Sequence, residues 1–263
     1  MNPAPGPDAP RPAFPDHFSS VAAAYAASRP RYPDELFAWL ASLAPGRRLA
    51  WDAGTGSGQA ATGLAGQFDQ VIATDASAEQ IAAAVPHARV EYRVAPAERS
   101  GLAAGSVDLA AAAQALHWFD IPAFHAEAAW VLRPDGILAV WTYALPVLGD
   151  PALDSELTRF HEQVRGWWPP ERRLVDTGYR TIPFPFPEIT APAFAMTADW
   201  DLARFLAYLR TWSAVTRCQR ATGVDPVATA SGFSAAWGRA GGLRQVRWPL
   251  SIRAGRMQRM AAR

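Results

Sequence analysis

From about Arg47 to Tyr143 the chain alternates short apolar runs with stretches of helical period. Arg47–Gly54 (RRLAWDAG), Gln70–Asp75 (QVIATD), Ala88–Ala95, Ser106–Ala115 and Ile137–Ala144 predict five strands. Gln59–Gln67, Ser77–Val85 and Ile121–Leu132 predict helices between them, the second opened by Ser77 as N-cap and the third stopped by Arg133-Pro134-Asp135-Gly136. Strands that are apolar almost throughout, each followed by a helix, belong to a parallel sheet covered on both faces. Right-handed crossovers then give an α/β fold: a doubly wound, Rossmann-like, mostly parallel sheet with helices on both faces. Ligands of such sheets sit beyond the carboxyl ends of the strands. Gly54, Asp75, the segment after Ala95 and Gln114–Asp120 are therefore expected around one crevice.

Beyond Pro146 the pattern changes. Pro151–Trp167, Trp200–Trp212 and Asp225–Ala240 predict helices, Trp168–Ala193 is rich in proline and aromatics, and Arg244–Ala254 predicts a late, antiparallel strand. Six of the 11 tryptophans fall here: Trp167, Trp168, Trp200, Trp212, Trp237 and Trp248. Residues 145–240 thus read as a helical cap insertion over the crevice.

Composition narrows the chemistry. A net charge of +1 gives no general pull toward nucleic acid, although no acidic residue follows Asp225 while Arg239, Arg244, Arg247, Arg253, Arg256, Arg259 and Arg263 do. Lysine is absent, which excludes Schiff-base catalysis on a lysine side chain. The single Cys218 excludes an intrachain disulfide, and no histidine–cysteine spacing suits a metal. Residues 1–16 read as a disordered, proline-rich tail, with no apolar core like that of a signal peptide. No window approaches the length of a membrane span, so a cytoplasmic protein is expected.

The glycines after the first strand carry the most information. In Asp52-Ala53-Gly54-Thr55-Gly56-Ser57-Gly58 the third glycine stands where a dinucleotide-binding turn has none, and Gln59 stands where that turn needs glycine. A loop of this spelling turns past a nucleoside without cradling a pyrophosphate. Asp75 ends the second strand at the distance from which a carboxylate accepts both hydroxyls of a ribose.

These residues, with Ala95–Glu98 (APAE), resemble the class I S-adenosylmethionine-dependent methyltransferases. His17–Pro33, Ala113–Asp120, Thr211–Ala214 and Val246–Arg256 are similar to the small-molecule branch that includes trans-aconitate methyltransferase-like proteins. The resemblance implies S-adenosylmethionine as cofactor and S-adenosylhomocysteine as product. It divides residues 17–263 into N-terminal helices over the cofactor (17–46), a cofactor-binding core (47–144), the cap (145–240), and a late strand with a basic tail (241–263).

Each site residue has an implied role. Gly54, Gly56 and Gly58, with Gln59, would line the methionine arm and ribose, and Asp52 would reach the ammonium directly or through water. Asp75 would hold the ribose diol, with Ala76, Ala97 and Glu98 at adenine and Gln114 and Ala115 facing the sulfonium. Tyr25 and Arg29 on one helical face would wall off the methyl group and pair with the cofactor's carboxylate. Trp118, Phe119, Tyr143 and Trp212 suit a site where positive charge moves, so Trp118, Tyr143 and Trp212 join Tyr25 as substrate residues. His117 is the candidate base beside Trp118, and a packed pocket wall is its other reading. Arg165, Arg172, Arg173 and Arg180 are the candidates to meet an acidic substrate.

The expected activity is methyl transfer to a small acidic or polar metabolite, with oxygen as the acceptor. An RNA or protein methyltransferase, a non-catalytic S-adenosylmethionine-binding protein and, more remotely, a nicotinamide oxidoreductase are the other classes considered. No membrane partner is expected.

Overall fold

The computed structural model describes residues 30–238 and 242–258. Tyr25, Arg29, the N-terminal tail, Arg239, Arg259 and Arg263 lie outside them. The five parallel strands are β1 (Leu49–Ala53), β2 (Gln70–Asp75), β3 (Val90–Val94), β4 (Val107–Ala113) and β5 (Leu132–Thr142), side by side in the order β3-β2-β1-β4-β5. The later strands are β6 (Glu188–Ile189), β7 (Ala195–Trp200), β8 (Arg244–Pro249) and β9 (Ser251–Arg256). β9 joins β5 antiparallel and β6 closes the edge, completing seven strands, while β7 and β8 pair separately.

Alternation along each strand sorts side chains between two cores. Ala50, Val71, Leu109, Ala139 and Trp141 pack on one face under α1 (Asp34–Leu43) and α2 (Gln59–Ala65). Trp51, Ala110, Leu138 and Val140 pack on the other, where Phe124, Ala128 and Val131 of α4 (Ile121–Val131) cover them. Trp51 is fully buried, and its indole N–H finds Thr74 Oγ1 at 2.9 Å, so the large ring is buried without an orphaned donor. The described helix of the 17–46 segment, α1, lies in this layer: Phe37 rests against Gly63 of α2, and Tyr32 just before α1 reaches the crevice.

Several boundaries differ from the sequence pattern. The helix Ser77–Val85 shortens to α3 (Ala78–Ala82), with Ser77 Oγ capping Gln80 N as expected. Arg133-Pro134-Asp135-Gly136 ends α4 but does not precede β5; it belongs to β5 as a bulge. Val107 pairs with Leu132 and Leu109 with Ile137, and Asp135 takes φ 65°. Arg133 Nη1 uses the bulge to reach the buried Asp108 Oδ1 at 2.7 Å.

The cap holds α5 (Pro151–Gln163), α6 (Arg172–Asp176), α7 (Leu202–Arg210), α8 (Ser213–Thr222) and α9 (Gly232–Trp237). α7 starts after Asp201, whose carboxylate caps Arg204 N, because Trp200 belongs to β7. α8 and β7 were not in the sequence pattern. The helix expected over Asp225–Ala240 reduces to α9, since Asp225 binds Val227 N and Arg210 in a turn containing Pro226. The single late strand splits at Leu250 into β8, which pairs with β7, and β9, which pairs with β5. Phe205, Phe233, Trp237 and Trp248 form a fully buried aromatic centre within the cap.

Candidate active site

The turn after β1 has a shape that only glycine allows. Gly54 takes φ 67°, and a Cβ there would stand 2.7 Å from Ala115 Cβ and 2.8 Å from Phe119 Cζ. Gly58 takes φ 87° and presses on the Tyr92 ring, 3.0 Å from Cζ where a Cβ would be. Asp75 then knits two loops together: Oδ2 accepts Gly56 N–H at 2.9 Å, and Oδ1 accepts Ser77 N–H at 2.9 Å. Burial holds its carboxyl above the usual carboxylate range, against the opposing pull of those two amides.

A crevice of about 340 Å³ opens above this turn, a size suited to small-molecule ligands. From the ends of β1 and β2 it is lined by Gly54, Gly56, Gln59, Asp75 and Ala76. Ala97 and Glu98 line it after β3, and Gln114, Ala115, Trp118 and Phe119 after β4, with Tyr143 after β5. Glu98 is fixed there by accepting Asp120 N–H at 2.7 Å. Tyr32, Gln80 and Pro96 also line it and were not singled out in the sequence. Gln80 had a signal, its place in the first turn after the Asp75 strand end; Pro96 and Tyr32 lie inside the stretches Ala95–Glu98 and His17–Pro33 without having been given a role of their own.

Gly58 and Asp52 do not line the crevice; both lie behind it. Asp52 is fully buried under the turn, where Oδ2 accepts Thr55 Oγ1–H at 2.6 Å and Oδ1 has no partner. Burial, opposed by the Thr55 hydrogen bond and helped by the nearby Asp75 charge, raises its pKa from 3.8 to about 7. Such an orphaned carboxyl suits a cation placed above the loop. The crevice itself agrees: among the described lining residues are two carboxylates, Asp75 and Glu98, and no cation. That wall fits a ligand with a sulfonium and an ammonium and repels a pyrophosphate.

Gln114 stands where the crevice meets a second pocket, held at φ 53°. Its Oε1 accepts Thr142 Oγ1–H at 2.5 Å and Tyr143 N–H at 2.9 Å, and its Nε2 donates to Tyr143 O at 3.2 Å. Both cavities share Gln114, Trp118 and Tyr143. The second pocket lies under the cap, walled by His117, Trp168, Arg172, Tyr208 and Trp212.

His117 Nδ1 lies 2.8 Å from Tyr179 Oη, and burial together with the Arg172 charge lowers its pKa to about 3. Arg172 makes one bond through Nε to Asp176 Oδ1 at 2.8 Å, and its guanidinium carbon lies 4.3 Å from the Trp168 ring centroid. Its Nη2 and the Trp168 Nε1 are both buried without a hydrogen-bond partner. An unmet buried donor costs about 1–3 kcal/mol, more for a charged group.

The other candidate arginines are elsewhere. Arg165 is largely exposed and pairs with Glu162, and Arg173 and Arg180 are exposed. Much of the basic end is internal bracing: Arg244 pairs with Asp150, Arg253 with Glu188, and Arg256 donates to Asp135 O. Among the described residues no cluster of histidine, cysteine and carboxylates could hold a metal, and no helix is long and apolar enough to cross a membrane.

Fold and crevice together define a Rossmann-like α/β protein with an acidic crevice beyond the carboxyl ends of its parallel strands. Residues 51–140 match the methyltransferase domain family. A solved structure from Anaeromyxobacter dehalogenans, assigned as a type II methyltransferase, is 50% identical, with 88% of this chain and 98% of that one covered and a TM-score of 0.83. A Dictyostelium discoideum protein assigned to the methyltransferases is 36% identical over 204 residues, covering 76% of this chain and 78% of that one. A methyltransferase of Aspergillus terreus is 32% identical over 148 residues, covering 50% of this chain and 44% of that one. The chain belongs to the class I S-adenosylmethionine-dependent methyltransferases.

Proposed function

We propose that this enzyme moves the methyl group of S-adenosylmethionine to an oxygen of a small acidic or polar metabolite, as in the trans-aconitate methyltransferase-like branch its sequence resembles. The observation that carries this reading is the junction at Gln114, Trp118 and Tyr143, where the carboxylate-lined crevice opens into a smaller pocket under the cap, lined by Trp168, Tyr208 and Trp212. A pocket of this kind favours a compact acceptor over a polymer, and the reading places the enzyme in the cytoplasm.

When bound, S-adenosylmethionine supplies an electrophilic methyl carbon on a positively charged sulfur. Asp75 would hold the ribose diol, Glu98 and Ala97 would flank adenine, and Asp52 would balance the ammonium from below. Tyr25 and Arg29 of the N-terminal segment complete the proposed cofactor contacts. Trp118, Tyr143 and Trp212 would fix the acceptor on line with the methyl carbon and keep water out, and positioning of this kind is worth roughly 7–11 kcal/mol. Aromatic faces also favour the cationic sulfur by about 0.5–2 kcal/mol. A carboxylate nucleophile needs no base. The proposal therefore treats His117, neutral and tied to Tyr179, as a pocket wall that orients the acceptor.

Calorimetric titration with S-adenosylhomocysteine, with NAD in parallel, tests the cofactor half. Micromolar binding of the first and none of the second is expected; the reverse would overturn it. S-adenosylhomocysteine release from S-adenosylmethionine with a panel of small hydroxy and carboxylic acids tests the acceptor half.

A further inference from the structure

The cap pocket carries an asymmetry that the methyl-transfer reading does not use. Its end nearest the crevice is formed by Gln114, Trp118 and Tyr143. Its other end holds Arg172, which does not line the crevice. Among the described residues of this pocket Arg172 is the one with a formal charge, since no carboxylate lines it and His117 stays neutral.

Asp176 satisfies Arg172 only in part. It engages Nε alone, on a side chain left 14% exposed, while the carboxylate itself is 45% exposed. Nη2 is left buried with no acceptor, and the indole N–H of Trp168, the ring on which the guanidinium stacks, is left in the same condition. Two neighbouring residues of one pocket wall thus carry buried donors with nothing to receive them. Buried donors without acceptors are rare in folded chains, and a guanidinium fork matches the two oxygens of a carboxylate.

We propose that the far end of the cap pocket is a recognition site for a substrate carboxylate, held by Arg172 and Trp168 and distinct from the atom that receives the methyl group. The inference rests on the methyl-transfer reading for the identity of the second end, but not for the anion site itself. It narrows the acceptor class to bifunctional molecules: one carboxylate docks against Arg172, and a separate oxygen, or a second carboxylate, reaches the junction at Gln114. Tyr208 and Trp212 line the same pocket beside Thr211 and Ser213.

The test compares a library of small mono- and dicarboxylates with the same molecules as primary amides. Binding to the full-length protein is followed by ligand-observed magnetic resonance, with and without saturating S-adenosylhomocysteine. Carboxylates should bind and their amides should not. Arg172→Gln should weaken carboxylate binding at least tenfold while leaving S-adenosylhomocysteine affinity within twofold, and Arg172→Lys, which keeps the charge but loses the planar fork, should fall between. Trp168→Phe, which keeps a ring for stacking but no donor, should weaken the same ligands about threefold and guards against misfolding of the arginine variants.

Equal binding of acids and amides, unchanged carboxylate affinity in Arg172→Gln, or no carboxylate binding at all to a protein that takes up S-adenosylhomocysteine would each overturn the proposal. Loss of S-adenosylhomocysteine binding with carboxylate selectivity intact would instead sink the methyl-transfer reading and leave the anion site standing.

Discussion

Replacing Asp52 by asparagine should make the protein more stable and a poorer binder of its cofactor. The carboxyl is fully buried, one oxygen has no partner, and its pKa is raised from 3.8 to about 7. A carboxyl with a raised folded-state pKa binds more protons folded than unfolded. Stability is therefore lost as pH climbs from about 4 to about 7, and the loss is complete above that. Three pKa units at 1.36 kcal/mol each amount to about 4 kcal/mol, of which about 2 kcal/mol fall between pH 5 and pH 7.

Asparagine carries no titrating charge and keeps an oxygen for Thr55. The melting temperature of Asp52→Asn minus that of the wild type should therefore grow by about 5 °C from pH 5 to pH 8, taking about 2 °C per kcal/mol for a chain of this size. The measurement is thermal denaturation of both proteins across that range. In parallel, wild-type binding of S-adenosylhomocysteine near pH 6.5 should release a proton, seen as a calorimetric enthalpy that depends on the buffer, and the variant should release none. A stability difference that is flat with pH would refute the argument.

Other perturbations follow from the same site. Asp75→Ala removes the acceptor for Gly56 and Ser77 and should weaken S-adenosylhomocysteine at least tenfold, about 1.4 kcal/mol by titration; unchanged affinity would remove Asp75 from the ribose. Gly58→Ala forces a side chain onto a positive φ and against Tyr92, costing at least about 1–2 kcal/mol and a melting-temperature drop of about 4 °C. His117→Ala should leave turnover within a few-fold between pH 6 and pH 9, whereas a collapse of kcat with normal substrate binding would make it a base. Arg133→Met strands the buried Asp108 carboxylate, which also accepts Arg48 and Leu49 amides, and should destabilise by about 3–5 kcal/mol without moving cofactor affinity.

The parallel sheet and the turn after β1 were legible in the chain because their signals are local. A buried parallel strand is an apolar run, and a glycine turn advertises itself at Gly54, Gly56 and Gly58. Asp75 falls at the end of its strand in the sequence pattern and in the structure alike. The cap was less legible. β6 has two residues, too few for any periodicity, and β7 runs directly into the cap of α7, so Trp200 looked like the start of a helix. The bulge at Arg133–Gly136 read as a loop because proline and glycine punctuate both. Arg172 stood among four equivalent arginines until three-dimensional contacts distinguished it: Asp176 takes one of its bonds, Trp168 its face, and nothing takes Nη2.

The chain leaves β5 at Thr142 and comes back beside it at Ser251, touching the sheet in between only as the edge strand β6, and Thr142 and Ser251 are direct partners across the β5–β9 pair. Everything between them, more than a hundred residues of cap and edge, is in topological terms the loop of one hairpin. Such a loop can be lengthened, exchanged or redrawn by recombination without shifting the register of any strand beneath the cofactor crevice. The proposed acceptor pocket thus combines His117 and Trp118 of the core with Trp168, Arg172, Tyr208 and Trp212 of that loop. The recognisable methyltransferase domain at residues 51–140 accordingly ends just short of where that loop departs.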